Sequence, residues 1–321
     1  MAAPMDEQAF VRYLAAKQLI DDRSLSHLVW EAMIDRLRAV RPRVVELGGG
    51  IGTMVERAAA DGRLRPASWT LLDAQPRLVA EARRRLGSRE TFPVSFVVED
   101  IETFCAGSRR RYDLVIAHAV LDLLDLPRIL GAIHGLAAGG GRFLFTLNFD
   151  GLTAWEPEVD AELDARIVSL YHRTMDERLT DGKPSGDSRS GRHLLTLLPR
   201  LGYRIEEAGA SDWIVFPREG RYSRAERTLL ESVLAFVEES LSGRSEISGG
   251  ELGRWLRKRR AQLAEGTLVF LAHQLDVLAA AMDGEPRRVP DAREARRRIR
   301  PSPWRGERRS GSRPAPPFRP G

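Results

Sequence analysis

Seven residues, Glu46 to Gly52 (E-L-G-G-G-I-G), constrain this chain more than any other segment. They follow a short apolar run, RVVEL (43–47), that reads as a buried strand, and they precede a helical pattern that runs to Gly62. Glycines at 48, 50 and 52 let the backbone turn tightly and approach a ligand with no β-carbon in the way, and a helix starting directly behind them offers free N–H groups. A dinucleotide fingerprint needs G-x-G-x-x-G, but the sixth position is Thr53 counted from Gly48 and Val55 counted from Gly50. That fingerprint fails, while E-x-G-x-G-x-G fits.

The rhythm on either side of the loop sets the fold class. Two helices, 6–21 and 24–39, come first, the second with Ser24 as its cap. After the loop, strands WTLLD (69–73), VSFVVED (94–100), YDLVIAHAV (112–120) and RFLFTLNF (142–149) alternate with helices over 76–86 and from Pro127. Such alternation predicts an α/β fold, a doubly wound, mainly parallel sheet with right-handed crossovers and ligands at the carboxyl ends of its strands. Beyond Asp150 the pattern changes: 157–179 reads as one helix, followed by a polar stretch, DGKPSGDSRSG (181–191), placed as a lid over the site. A helix (193–201), a strand (203–209) and two amphipathic helices (223–242 and 249–264) follow. TLVFLAHQLDVL (267–278) is read as the last strand, with a helix as the alternative. The expected organisation is therefore N-terminal helices forming part of a lid (1–40), a nucleotide-binding core (41–150), a lid insertion with the remaining strands and helices (151–283), and a disordered tail (284–321).

Charge bears on the partner class. The net charge of +5 is concentrated in residues 284–321, where twelve arginines face four acids, so residues 1–283 carry −3. Eight of the eighteen prolines share that tail. The folded part offers no basic face to a nucleic acid, and neither nucleic acid nor membrane is the expected partner. The opening MAAPMDEQAF has neither the basic nor the apolar region of a secretory leader, and Cys105 is the sole cysteine, so a reducing, cytoplasmic setting is expected.

Two further acids end strands: Asp73 after the second, placed to accept hydrogen bonds from ribose hydroxyls, and Asp100 after the third, beside Ile101, where a carboxylate would lie next to an apolar wall. Each alone also reads as a helix cap or turn residue. Together with the loop they resemble the class I methyltransferases that use S-adenosylmethionine, across residues 40–150 and more loosely beyond. The resemblance implies that Gly48, Gly50 and Gly52 lie under the amino-acid part of that cofactor, with Glu46 nearby. It also implies that Asp73 and the adjoining Ala74 meet the ribose, that Asp100 and Ile101 meet the adenine, and that His118 to Val120 line the cofactor. Gly49 departs from the family, standing where a larger residue is usual.

Methyl transfer from a sulfonium is an in-line displacement that rests on alignment in a dry site and requires no fixed triad. A small-molecule acceptor is expected, with S-adenosyl-L-methionine as cofactor. His172, next to Tyr171 on the proposed lid helix, and Asp187, Arg189 and His193 around the polar loop are the candidate acceptor-site residues. His134 reads as a solvated or capping residue, the run RWLRKRR (254–260) as a wet helix face, and Trp155, Trp213 and Trp255 as apolar anchors. No close-spaced ligand set points to a metal. An RNA or protein methyltransferase using the basic tail, and a cofactor-binding protein without catalysis, are the competing readings.

Overall fold

The computed structural model describes residues 6–38, 40–87, 92–180 and 182–282; the tail expected to be disordered, 284–321, lies outside the described residues. Two helices, α1 (Glu7–Ser24) and α2 (His27–Leu37), precede the sheet. Ser24 closes α1 instead of capping α2; the cap is Ser26, whose Oγ accepts from the Val29 amide. Then follow β1 (Arg43–Leu47), α3 (Thr53–Asp61), β2 (Ser68–Asp73), α4 (Pro76–Leu86), β3 (Val94–Val98), α5 (Ile101–Gly107), β4 (Tyr112–His118) and α6 (Leu126–His134). The second half holds β5 (Ala137–Glu156), α7 (Ala161–Asp176), a two-strand hairpin β6 (Leu179–Thr180) and β7 (Lys183–Pro184), α8 (Ser190–Leu197), β8 (Tyr203–Ala210), β9 (Trp213–Val215), α9 (Arg224–Leu241), α10 (Gly249–Glu265) and β10 (Val269–Ala281).

The main sheet runs β3-β2-β1-β4-β5-β10-β8, with β9 on the far part of β10. From β3 to β5 every pairing is parallel, and β10 is antiparallel to β5, β8 and β9. The last stretch is thus a strand, but it is inserted between β5 and β8 instead of closing the edge.

Strand residues alternate between two cores because successive side chains point to opposite faces. Val45, Val115, Phe143 and Phe145 pack under α5, α6 and α8. Val44, Leu114, Ile116 and Leu144 pack under α2, α3 and α4. His134 belongs to the first of these cores: it is buried, its Nε2 lies 3.1 Å from the Gly202 carbonyl and its ring stacks on Phe143.

β5 is what the sequence hides. It pairs with β4 only as far as Thr146, opposite His118, and then continues with β10 alone to Glu156. The helix expected from Pro157 accordingly begins four residues later, at Ala161, and ends at Asp176. The overhanging β5–β10 ribbon carries a third core, in which Trp155, Trp255 and Phe270 meet edge to face or tilted beneath α7, α9 and α10. Arg259 of the run RWLRKRR is fully buried there, donating to the carbonyls of Trp155 and Pro157 and to Asp164 Oδ1. The buried guanidinium is tolerated because both of its terminal nitrogens meet acceptors, Asp164 among them, although its Nε has none.

Candidate active site

At the carboxyl ends of β1, β2 and β4, where the chain leaves the parallel strands, lies a cavity of about 660 Å³. Its first wall is the glycine loop. Gly48 and Gly50 adopt positive φ (67° and 53°), and the nearest atom that a β-carbon on Gly50 would meet is Leu14 Cδ1 at 3.7 Å, so this backbone borders open space. Gly49 is small for a packing reason: a β-carbon there would come within 2.7 Å of Leu71 Cγ. Behind the loop α3 starts at Gly52, which has no side chain to cap it, and the uncapped first turn is suited to an anionic group.

Asp73 ties this wall together. Its Oδ2 accepts from the Gly50 amide and its Oδ1 from the Gln75 amide, both at 2.9 Å. Each oxygen keeps a further lone-pair direction for a hydroxyl donor. Burial raises the Asp73 pKa, although the two amide bonds oppose that rise. Asp100 caps α5, with Oδ1 accepting from Glu102 and Thr103, so the capping role and the place on the cavity coexist. Ala74 and Ile101 also line the space, as do His118, Ala119 and Val120. Glu46 and Gly52 do not. Glu46 is buried beneath the loop, where it accepts from Trp69 Nε1 at 3.0 Å and burial pushes its carboxyl up to about 8.

The opposite wall comes from α1, α7, α9 and the β5–β10 ribbon. Here α1 contributes Lys17 and Asp21, one helical turn apart and both buried, with Lys17 Nζ 2.5 Å from Asp21 Oδ2. Trp213 Nε1 donates to Asp21 Oδ1 at 2.9 Å, and His118 Nε2 lies 3.4 Å from Asp21 Oδ2. Burial works to raise the Asp21 pKa, but Lys17 and His118 outweigh it and hold the carboxyl below its ordinary value. His118, whose Nδ1 is 2.8 Å from Thr146 Oγ1, is pushed by burial down to about 4 and is neutral at pH 7. Two cavity-lining residues have positive φ without being glycine, Ala119 (51°) and Leu147 (54°), and the Leu147 amide is pinned by Asp276 Oδ1 at 2.7 Å.

None of His172, Asp187, Arg189 and His193 lines the cavity. His172 Nε2 lies 2.9 Å from Thr153 Oγ1 behind the ribbon, and Asp187 forms a local pair with His193 at 2.5 Å while its Oδ1 accepts from the Arg189 amide. The polar loop turns back on α8 because its own acid and histidine satisfy each other six residues apart. Among the residues that do reach the far wall are Tyr13, Lys17, Asp21, Asp122, Tyr171 and Arg178. For Lys17 and Asp21 the only sequence signal was their spacing of four in an apolar helix, and for Asp122 its place in the turn after β4.

Parallel strands interrupted by one antiparallel strand, a glycine loop at the end of β1 and acids at the ends of β2 and β3 are the arrangement of a class I methyltransferase fold. Residues 44–141 match the family model described as a methyltransferase domain. The chain is 25% identical over 139 residues to a malonyl-[acyl-carrier protein] O-methyltransferase of Paenibacillus sp. (strain JDR-2), covering 43% of this chain and 47% of that protein. It is 30% identical over 194 residues to the biotin biosynthesis bifunctional protein BioCD of Bordetella avium (strain 197N), covering 54% and 40%. It thus spans less than half the length of these curated relatives. A solved structure of the cyclopropane synthase MmaA2 from Mycobacterium tuberculosis superposes with a TM-score of 0.43 at 14% identity, covering 78% of this chain and 83% of that one. No helix among the described residues is long and apolar enough to cross a membrane.

Proposed function

We propose that the chain binds S-adenosylmethionine in this cavity and transfers its methyl group to a small-molecule acceptor. The observation that carries the reading is the cavity itself, with a nucleotide-type wall at one end and a mainly apolar chamber under α1, α7 and α9 at the other. Such a chamber, roofed by helices, suits a small acceptor better than a macromolecular strand or side chain. We read α1 and α7 as the lid.

The residues present fit the cofactor. Gly48 and Gly50 bring bare backbone to it, the uncapped start of α3 faces its carboxylate, Asp73 accepts from the ribose hydroxyls, and Asp100 and Ile101 meet the adenine. When bound, the sulfonium supplies an activated methyl group. The chain aligns the acceptor and excludes water. Neither Lys17 nor His118 adds a net positive charge beside that cation: Asp21 neutralises Lys17, and His118 stays uncharged.

Calorimetric titration of the whole chain with S-adenosylmethionine and, in parallel, NAD tests this. The first should bind and the second should not; binding of NAD alone, or of neither, would overturn the reading. Asp73→Ala should weaken the cofactor roughly 10- to 100-fold, since it removes charged acceptors from the ribose and frees the Gly50 amide. Unchanged affinity would remove Asp73 from the site.

A further inference from the structure

The far chamber has a composition of its own, and this inference rests on the methyltransferase reading while specifying its acceptor. Tyr171, Trp213, Phe236 and Phe270 line it, a set of aromatic side chains suited to an apolar ring. Its charges are not equivalent. The Lys17 ammonium is taken by Asp21, whose other oxygen is taken by Trp213. The Arg178 guanidinium also lines the chamber, yet no carboxylate among the described residues lies within 4 Å of it. Its main chain is held at the open end of the β6–β7 hairpin, where the Arg178 carbonyl accepts from the Ser185 amide at 2.9 Å. Asp122 faces the same space with one buried oxygen, Oδ1, that has no hydrogen-bond partner. Burial raises the Asp122 pKa, and the nearby Arg178 charge opposes that rise.

We propose that the acceptor is a hydroxylated aromatic acid, with its ring between the chamber's aromatic side chains, its carboxylate on Arg178 and its hydroxyl toward Asp122. A guanidinium with no carboxylate within 4 Å among the described residues is complementary to a carboxylate, which it can hold through two parallel N–H donors. A carboxyl with an unfilled acceptor position is complementary to a hydroxyl donor, and it is placed to take the proton that the hydroxyl oxygen loses as its bond to the methyl carbon forms and the sulfur–methyl bond breaks.

The probes are 6-hydroxy-2-naphthoate, its primary amide and 2-naphthylmethylamine, titrated calorimetrically into the whole chain saturated with S-adenosylhomocysteine. The naphthoate should bind at least roughly 10-fold tighter than the amide, and the amine should be the weakest. Arg178→Met should erase the preference for the acid over the amide, and Arg178→Lys should restore part of it. Equal binding of acid and amide, preference for the amine, or an undiminished preference in Arg178→Met would overturn the proposal. The preceding titration with S-adenosylhomocysteine separates the two readings: its failure sinks the methyltransferase assignment, whereas its success with no acid preference sinks only the acceptor class. Retained S-adenosylhomocysteine binding in both Arg178 variants shows that they are folded.

Discussion

Gly48→Ala should reduce affinity for S-adenosylmethionine on the order of 100-fold, whereas Gly62→Ala should leave it unchanged. The two glycines carry nearly the same backbone conformation, φ 67° and 71°. An alanine at either therefore meets a similar left-handed cost of about 1 kcal/mol in stability. Their surroundings differ. A β-carbon at Gly62 would meet nothing within 4 Å, but at Gly48 it would lie 2.8 Å from Val120 Cγ2 and 3.2 Å from Val120 Cβ. Val120 would have to move, and it lines the cavity. A displacement of about an ångström at a site built on alignment is worth on the order of 100-fold. Thermal unfolding of both variants beside calorimetric titration checks this. A larger melting shift in Gly48→Ala than in Gly62→Ala, with a binding loss confined to Gly48→Ala, is expected; unaltered binding in Gly48→Ala would move the cofactor off this loop.

That pair also shows which parts of the site could be read from sequence. Gly48, Gly50, Asp73 and Asp100 sit at strand ends in a local pattern, and local patterns survive the loss of tertiary context. The far wall has no such pattern. Lys17 and Asp21 look like the wet side of an amphipathic helix, and only the packing of α1 beneath Trp213 and α9 buries them as a pair. Arg259 misleads for the same reason: in a run of basic residues one guanidinium turns inward because the carbonyls of Trp155 and Pro157 await a donor. The overhang of β5 hides behind a change of partners. Its first part obeys the alternation of a two-faced sheet, and its second part pairs only with β10, 113 to 127 residues away in sequence, so nothing nearby announces it. Conversely Asp187 and His193 look chemical in sequence because their types are reactive, yet their side chains pair with each other, away from the cavity lining.

Glu46→Gln should make the folded chain more stable above pH 8 by about 3–4 kcal/mol and leave stability near pH 4.5 unchanged. Glu46 is buried at the bottom of the loop with one donor, Trp69 Nε1, and burial raises its carboxyl from 4.5 to about 8. The fold therefore retains a proton that the unfolded chain releases, and stability falls as pH rises from the unfolded pKa to the folded one. The loss is complete only above about pH 8. Each unit of displacement corresponds to about 1.36 kcal/mol, so the full interval sets an upper limit somewhat above the expected gain. A glutamine cannot ionise, and its side-chain oxygen still accepts from Trp69, so the variant keeps the hydrogen bond without the buried charge. Asp276, raised to about 6, and His118, lowered to about 4, also titrate between folded and unfolded states, but they do so in both proteins and cancel in the difference. Urea unfolding of both proteins across pH 4.5 to 9 measures that difference. A gap that opens through the interval and levels off is expected, while parallel curves would mean that Glu46 is ionised in the folded state, with a charge nearer to it than any residue described around the loop.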